Sequence, residues 1–269
     1  MKIKVQCPAK INLTLKVLDK RQDGFHNIKS IMQTISLYDY LTITCEPSAK
    51  FEINLSGTST EIPYNEKNLV HKAIMLFVEY ANLSPHKINV FIEKNIPVAA
   101  GLAGGSTDAA GTLFALNEIF NKPLSKEELH KLCAKLGSDL NFCLEGGRQI
   151  TEGRGEILTP LEFEEFKVSL IKPLNLGISA KEAYTKFSEK RSSNFTSKFG
   201  SRETFKNDLE WAVIDDYEEL KNIKNLYPDS VMSGSGSTYF SVNMEFNPAQ
   251  DYWVANNLKA VADGICVAK

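Results

Sequence analysis

The chain has 269 residues, enough for one large domain or two domains of ordinary size, and its 43% hydrophobic and 24% charged residues exclude a largely disordered chain. A formal net charge of -2 gives no electrostatic reason to expect a nucleic-acid partner. The five cysteines are scattered and form no C-x-x-C pair, which predicts a protein without disulfides or a zinc site. We find no signal peptide and no apolar run of about 18 residues, so we expect a cytoplasmic protein without a membrane span.

The N-terminal half shows the patterns of strands and amphipathic helices. Apolar residues at every second position predict a first strand, and its other face carries Lys10, Asn12 and Thr14. Together the predicted strands cover residues 5–17, 41–45, 50–57 and 88–94. The predicted helices cover residues 68–82 and the segment from a glycine-rich stretch to about residue 120.

Two further helices carry start signals. Ser125 with Glu128, and Ser179 with Glu182, have the S-x-x-E spacing of a capping box. Gly137 follows the first of these patterns and can end that helix, because glycine adopts the backbone conformation that often terminates helices. We therefore expect helices from about residue 125 to residue 137 and from about residue 179.

The remaining C-terminal segments mix strands, loops and one helix. We expect a hairpin tip at "TEGRGE", a strand at "FKVSLIK", and an exposed loop or lid over residues 188–206. A last helix is expected from about Pro248, with an apolar side made of Tyr252, Val254, Ala255, Leu258 and Val261. Strands and helices do not alternate strictly along the chain, which favours an α+β fold.

The stretch "PVAAGLAGGSTDAA", residues 97–110, lies between a predicted strand and a predicted helix. Glycines let the backbone approach a bulky anion, and a helix start offers unpaired N–H groups, so the stretch is suited to bind phosphate. Ser106 and Thr107 can add hydroxyl donors or hydroxyl ligands for Mg²⁺, and Asp108 is placed to cap the helix. The glycine spacing matches neither a P-loop nor the dinucleotide-binding fingerprint, and a tight turn with close helix packing is the structural alternative.

Phosphoryl transfer needs a residue that orients the acceptor hydroxyl and a cation near the charge that develops. Asp139 in "LGSDLNF" and Lys10 on the first strand are the candidates, provided that the fold brings them together. Spacing alone does not show this, and an isolated aspartate or lysine is more often a helix cap or a solvated charge.

Five segments, "PAKINLTL", "DGFHNI", "PVAAGLAGGSTDAA", "LGSDLNF" and "SGSGST", occur in the order seen in the GHMP kinase superfamily, which the chain closely resembles over nearly its whole length. The resemblance implies an α+β fold with a ribosomal-protein-S5-like domain at residues 1–155 and a ferredoxin-like domain at residues 156–269. It also implies an active site in the cleft between them. "PAKINL" and "DGFH" are the more specific segments, and they resemble the ATP-dependent kinases of the non-mevalonate isoprenoid route.

The reaction implied by this resemblance is transfer of the γ-phosphate of ATP, bound with Mg²⁺, to the 2-hydroxyl of a methylerythritol that carries cytidine diphosphate. The family's active-site lysine and catalytic aspartate match Lys10 and Asp139. The positions that match its ATP-binding residues are Asn68, Lys94, Pro97, Gly101, Leu102, Ala103, Gly104, Gly105, Ser106 and Thr107. Those that match its substrate contacts are Asn12, Phe25, His26 and, in a more variable context, Tyr184, and no dedicated protein-bound metal is implied.

Two residues depart from the family pattern, since Ala103 stands where glycine is frequent and Phe25 where tyrosine is common. Other GHMP enzymes, such as homoserine kinase, mevalonate kinase or diphosphomevalonate decarboxylase, are the near alternative, because they share the glycine loop. A non-enzymatic RNA-binding module is the distant alternative, and the near-neutral charge argues against it. We expect small-molecule substrates, no nucleic acid, no membrane, and a monomer or weak homodimer.

Overall fold

The computed structural model describes residues 1–192, 206–247 and 250–268. Its strands are β1 (Lys2–Lys20), β2 (His26–Pro47), β3 (Glu52–Gly57), β4 (His86–Glu93), β5 (Arg148–Gly153), β6 (Ile157–Pro160), β7 (Lys167–Pro173), β8 (Val231–Met232), β9 (Tyr239–Val242), β10 (Tyr252–Lys259) and β11 (Cys266–Val267). Its helices are α1 (Leu69–Tyr80), α2 (Gly104–Ile119), α3 (Lys126–Leu136), α4 (Leu140–Glu145), α5 (Ala180–Ser192), α6 (Asp208–Val213) and α7 (Glu218–Leu226). The mixed helix and strand content agrees with the predicted α+β class.

The first sheet has the strand order β11-β1-β2-β4-β3, and the β5–β6 hairpin joins it through β2. β2 pairs with β1 along one edge, and along its other edge residues 28–33 pair with β5 and residues 40–47 pair with β4. Helices α1 to α4 pack against this sheet around a buried apolar cluster. The hairpin crosses the expected domain boundary between residues 155 and 156, and that boundary stays a prediction.

The second sheet has the order β10-β7-β9-β8 and is antiparallel throughout. Helices α5 to α7 pack with it around a second apolar cluster, to which β1 contributes Leu15 and Val17. A third cluster joins the two sheets and includes Ile11, Ile35 and Leu170. Strand β1 therefore packs with both sheets, and its middle lies at their junction.

The middle of β1 is buried on both faces, which goes beyond the one buried face that alternation predicted. Ile11 is fully buried, as expected, but Lys10 and Asn12 on the other face are also only 3% and 0% exposed. Register shifts against β2 lie on both sides of residues 9–12. Irregularities of this kind redirect side chains, and here they flank the polar pair that faces the cavity described below.

The predicted C-terminal helix is wrong, because Tyr252–Lys259 forms strand β10. Tyr252, Val254 and Leu258 are separated by even numbers of residues, so the same pattern also fits the two-residue period of a strand. β10 pairs with β7, and a local sequence pattern does not reveal such a distant hydrogen-bonding partner.

Three other local predictions can be compared with the structure. The capping box of Ser125 and Glu128 and the hairpin at "TEGRGE" are confirmed. The expected loop at residues 188–206 is partly wrong, since α5 continues to Ser192, and residues 193–205 lie outside the described part of the chain. Among the described residues, no helix has the length and apolar character needed to cross a membrane.

Candidate active site

A cavity of about 1130 Å³ is lined by the middle of β1, the loop before α2, the start of α4, and α5. The predicted site residues in its wall are Lys10, Asn12, Phe25, His26, Asn68, Lys94, Pro97, Gly101, Ala103, Gly104, Gly105, Ser106, Asp139 and Tyr184. Leu102 and Thr107 do not line the cavity, because their side chains are buried in the protein interior. The structure thus gathers predicted site residues from six separate sequence segments around one space.

Lys10 is held by a set of polar partners although its side chain is only 4% exposed. Its Nζ donates hydrogen bonds to Asn12 Oδ1 at 2.8 Å and to the Gly101 carbonyl oxygen at 3.0 Å. The amide nitrogen of Asn12 donates to Ser30 Oγ at 2.8 Å, which fixes the orientation of that amide. Both ends of the Asn12 side chain are therefore engaged by protein groups, and its predicted contact with the substrate remains a prediction.

Asp139 occupies the N-cap position of α4, but its side chain makes no capping hydrogen bond. Asp139 Oδ2 instead lies 3.4 Å from Lys10 Nζ, so the fold brings the two sequence candidates together. The Asp139 side chain is 28% exposed and faces the cavity. A carboxylate that is paired with a buried ammonium yet open to the cavity is suited to orient a bound hydroxyl group.

The glycine loop ends in the first turn of α2. Ala103 is the N-cap residue in the left-handed conformation, with φ 61°, and its carbonyl accepts the first helical hydrogen bond from Thr107 N at 2.9 Å. The N–H groups of Gly104, Gly105 and Ser106 precede that bond, so they lack acceptors within the helix. They carry the positive end of the helix dipole into the cavity, which is the arrangement that binds phosphate.

The second glycine segment, residues 233–238, forms hydrogen bonds with the loop before α2. The Gly101 carbonyl accepts a hydrogen bond from Ser233 Oγ at 3.1 Å as well as the bond from Lys10, and Thr238 N donates to the Ala100 carbonyl at 3.3 Å. Gly101 has φ +73°, and a side chain there would collide with the Ser233 carbonyl. A glycine is therefore required where the two segments meet.

A second lysine lies beneath the same loop in a closed environment. Lys94 forms ion pairs with Asp39 and, at 3.2 Å, with Asp108, and its side chain is 5% exposed. Asp39 also accepts hydrogen bonds from the backbone N–H groups of Asn95 and Ile96 at 2.6 and 2.8 Å. This cluster ties β2 to the loop and to α2. No local pattern in the sequence pointed to Asp39.

The expectation that Asp108 caps α2 is wrong. The cap position is five residues earlier, at Ala103, and Asp108 lies inside the helix with 2% exposure. Burial raises the pKa of Asp108 to about 7, and the carboxylate of Asp39 adds to this effect while the ammonium of Lys94 opposes it. Asp108 therefore belongs to the buried cluster around Lys94. It cannot cap α2, because a capping residue has to precede the first turn of the helix.

The other end of the cavity is aromatic. The rings of His26 and Tyr184 stack with centroids 5.5 Å apart and an angle of 16° between their planes. His26 Nε2 lies 3.1 Å from Ser188 Oγ, and burial, with help from nearby cations, lowers the pKa of His26. Phe25 is exposed, and the Arg154 guanidinium from the β5–β6 hairpin lies 5.0 Å from its ring centroid. Sequence reasoning missed Arg154, since it was assigned only to a hairpin tip.

Asn68 lies in the cavity wall at the start of α1 and caps that helix. Its Oδ1 accepts a hydrogen bond from Val70 N at 2.9 Å, and its Nδ2 donates to the Pro63 carbonyl at 2.7 Å. Lys94, Gly104 and Gly105 belong to the same cavity wall. The resemblance described above assigns Asn68 and Lys94 to ATP binding, and this remains a prediction.

The fold and the glycine loop match a known class of enzymes. Residues 68–147 match the family model described as the GHMP kinases N terminal domain, and this range includes α1, the glycine loop, α2 and Asp139. A crystal structure of homoserine kinase from Cytophaga hutchinsonii aligns with a TM-score of 0.70 over 99% of this chain and 97% of its own, at 15% identity, which shows the fold alone. The chain thus has the fold and the loop of GHMP kinases.

Two closer relatives share a narrower name. The 4-diphosphocytidyl-2-C-methyl-D-erythritol kinase of Clostridium perfringens (strain SM101 / Type A) is 38% identical, over 89% of this chain and 88% of that protein. A crystal structure of 4-(cytidine 5'-diphospho)-2C-methyl-D-erythritol kinase aligns with a TM-score of 0.71 and 26% identity, over 97% of this chain and all of that one. The chain belongs to the 4-diphosphocytidyl-2-C-methyl-D-erythritol kinase family.

Proposed function

We propose that the chain transfers the γ-phosphate of ATP to the 2-hydroxyl of 4-diphosphocytidyl-2-C-methyl-D-erythritol, the kinase step of the non-mevalonate isoprenoid pathway. The observation that carries this proposal is the Lys10–Asp139 ion pair, with 3.4 Å between Nζ and Oδ2, in a cavity that also contains the start of α2 and the His26–Tyr184 stack. One cavity therefore combines a phosphate-binding backbone, an acid and cation pair, and an aromatic end.

ATP binds with its phosphates against the glycine loop. The free N–H groups at the start of α2 donate to phosphate oxygens, and Ser106 adds a hydroxyl in the same wall. Leu102 and Thr107 act on ATP indirectly, by packing the loop and the first turn of α2 into the interior, because both side chains are buried and Thr107 N is bonded to the Ala103 carbonyl. Asn68 and Lys94 lie on the nucleoside side of the bound ATP.

Mg²⁺ would be held in the cavity together with the phosphates of ATP. In the described part of the chain no cluster of three or more His, Cys, Asp or Glu side chains could hold a metal by itself, which suits a cation that keeps phosphate oxygens and waters as ligands. The Asp139 carboxylate and the Ser106 hydroxyl line the cavity and are the protein groups suited to complete its shell. When bound, Mg²⁺ neutralises charge on the phosphate oxygens.

In the transfer step, the bond from the γ-phosphorus to the bridging oxygen breaks while the acceptor oxygen bonds to that phosphorus. Asp139 accepts the hydrogen bond of the acceptor hydroxyl, orients its oxygen, and receives its proton as the phosphate ester forms. The Lys10 ammonium holds Asp139 in place and offsets the negative charge of the transferring group. Positioned charge supplies most of the catalysis, because the transition state is loose.

The cytidine end of the substrate lies between the aromatic groups around His26. Phe25 and Tyr184 supply ring faces, and stacking of a base on such faces contributes about 1–3 kcal/mol in nucleic-acid complexes. Burial lowers the pKa of His26, so its neutral imidazole offers one donor and one acceptor to the base. The ring of Tyr184 stacks on His26 in this structure, and the base would replace or extend that contact.

The remaining expectations belong to the same proposal. We assign the first sheet with α1 to α4 to the ribosomal-protein-S5-like half and the second sheet with α5 to α7 to the ferredoxin-like half. We propose a cytoplasmic location, a monomer or weak homodimer, and no nucleic-acid partner.

The first test is ADP release from ATP and Mg²⁺ with diphosphocytidyl methylerythritol, homoserine and mevalonate as separate acceptors. We expect turnover only with the first, together with a new phosphomonoester signal by phosphorus NMR. Turnover only with homoserine or mevalonate would overturn the proposed substrate and leave the GHMP kinase fold assignment intact.

A second test examines the cytidine end directly. CMP and UMP differ only along one edge of the base, where cytosine has an amino group at position 4 and an acceptor at N3 and uracil has a carbonyl group and an N–H donor, so the pair is a matched probe of base recognition. We expect CMP to compete with the substrate at least about tenfold better than UMP, because a site built for one hydrogen-bonding edge rejects the other. Equal inhibition by the two nucleotides would remove His26 from the proposed base contacts.

A further inference from the structure

Asn207 is a fully buried amide that bonds to the second glycine segment. Its Nδ2 donates to the Met232 carbonyl at 2.6 Å and to the Gly234 carbonyl at 2.8 Å. Its Oδ1 accepts a hydrogen bond from Leu209 N at 2.9 Å and so caps α6. One side chain therefore connects the start of a helix to two carbonyl groups that flank Ser233.

Gly234 is the residue through which this contact reaches the catalytic lysine. It has φ +54°, and a Cβ atom built on it would lie 3.1 Å from Lys10 Nζ and 2.9 Å from the Gly101 carbonyl oxygen. The backbone of Gly234 thus forms the wall against which the Lys10 ammonium rests. A shift of this backbone would change the space available to that ammonium.

The segment that carries Asn207 is also fixed to β1, the strand of Lys10. Leu15 N donates to the Lys206 carbonyl at 2.8 Å, and Leu15 forms a parallel bridge with Asn207. Asn207 therefore lies between β1 and the second glycine segment, and its two donor bonds set the distance between them.

We propose that Asn207 is a positioning residue for phosphoryl transfer. By holding the Met232 and Gly234 carbonyls, it keeps Gly234 against Lys10 and so keeps the ammonium directed at Asp139 and the Gly101 carbonyl. This role rests on the proposed function, because it acts through the residues assigned there to the transfer step. It differs from the capping role of the same side chain, which uses Oδ1 alone.

The test is Asn207→Asp, which keeps the size and the capping oxygen but replaces the donating nitrogen with oxygen. The matched control is Asp208→Asn on the next residue, which is equally buried and accepts a hydrogen bond from Val17 N at 2.8 Å on β1. Asn207→Asp replaces a donor with a buried negative charge and Asp208→Asn removes one, so both are expected to lower the melting temperature. Asn207→Ser, which also retains a capping oxygen, is the second variant if Asn207→Asp folds poorly.

For Asn207→Asp we expect kcat to fall about 10- to 100-fold, because small misplacements at a reacting centre have effects of this size. The KM for ATP should change less than about threefold, and Asp208→Asn should lower kcat by less than about threefold, since purely structural changes do not act on the reacting atoms. Equal losses of kcat in the two variants at equal loss of melting temperature would overturn the proposal.

Hydrogen–deuterium exchange separates this inference from the proposed function. In the ligand-free protein, peptides covering residues 232–238 should exchange faster in Asn207→Asp and Asn207→Ser than in Asp208→Asn. Unchanged exchange in that segment would overturn the positioning role whatever the substrate. Faster exchange together with a wild type that does not use the diphosphocytidyl acceptor would support the role and contradict the proposed function.

Discussion

Two buried lysines, Lys10 and Lys94, lie against different residues of the glycine loop, Gly101 and Gly104, and differ in the solvent access of their acidic partners. Their side chains are 4% and 5% exposed. The Asp139 side chain beside Lys10 is 28% exposed, whereas those of Asp39 and Asp108 beside Lys94 are 0% and 3% exposed. Lys10 and Asp139 thus form an open pair, whose carboxylate is accessible to a substrate. Lys94, Asp39 and Asp108 form a closed cluster, which connects the glycine loop to β2 and α2.

The largest expected effect comes from breaking the open pair on its acidic side. Asp139→Asn keeps the shape of the side chain and removes the carboxylate that orients the acceptor hydroxyl. We expect kcat to fall about 10²- to 10⁴-fold, the usual contribution of a positioned acid or base. Steady-state ADP release and a thermal melt check this together. A kcat within about tenfold of wild type would shift the catalytic role to Lys10 and the bound metal.

The closed cluster should respond in stability more strongly than the open pair does. Lys94→Met leaves the Asp39 and Asp108 carboxylates buried without their cation, and breaking a buried ion pair in this way costs about 3–5 kcal/mol. Urea unfolding of Lys94→Met and Lys10→Met provides the measurement. Lys10→Met should lose less stability, because its partner Asp139 is partly solvated. A larger stability loss for Lys10→Met would reverse the comparison.

The pH dependence of the free energy of unfolding tests one member of the closed cluster, Asp108. Burial raises the folded-state pKa of Asp108 to about 7, above the unfolded value of about 3.9. The folded state therefore binds more protons between these values, and the stabilisation is full at about pH 4 and lost as pH rises through about 7. Wild type should lose stability relative to Asp108→Asn across this window, by up to about 1.4 kcal/mol per pH unit.

Urea unfolding of both proteins at several pH values measures that difference, and the Asp108→Asn variant serves as its own reference because it cannot titrate at this position. Parallel stability curves for the two proteins would show that Asp108 stays ionised in the folded state. The Lys94 cluster would then be an ordinary ion pair, like that of Lys10.

The sequence predicted the open pair far better than the closed one. Lys10 and Asp139 lie in segments that resemble family motifs, so both were found although spacing did not show that they meet. Asp39 falls outside every predicted element, because it is a charged residue on the buried face of β2, where the two-residue period calls for an apolar residue. Its partner Lys94 is 55 residues away, and no local pattern encodes such a pairing.

The secondary structure was likewise predicted correctly only where the signal is local in sequence. Helices α1 and α3 and the first strand were predicted from their periods and caps, since those signals are local. Strand β10 was taken for a helix, because its pairing with β7 is set by tertiary structure. Asn207 carried no sequence signal of its own, because its role depends on carbonyl groups more than twenty residues away.

The smallest expected effect concerns Ala103, which links the two lysine environments. Ala103 has φ 61°, and replacing it by glycine should relieve about 1 kcal/mol of left-handed backbone cost while adding a similar entropy to the unfolded chain. We therefore expect Ala103→Gly to change the unfolding free energy by less than about 1 kcal/mol and the KM for ATP by less than about threefold. Ala99→Gly, at φ 50° in the same loop, is the matched control. A tenfold change in KM for Ala103→Gly alone would mean that the methyl group itself limits the approach of phosphate to the start of α2.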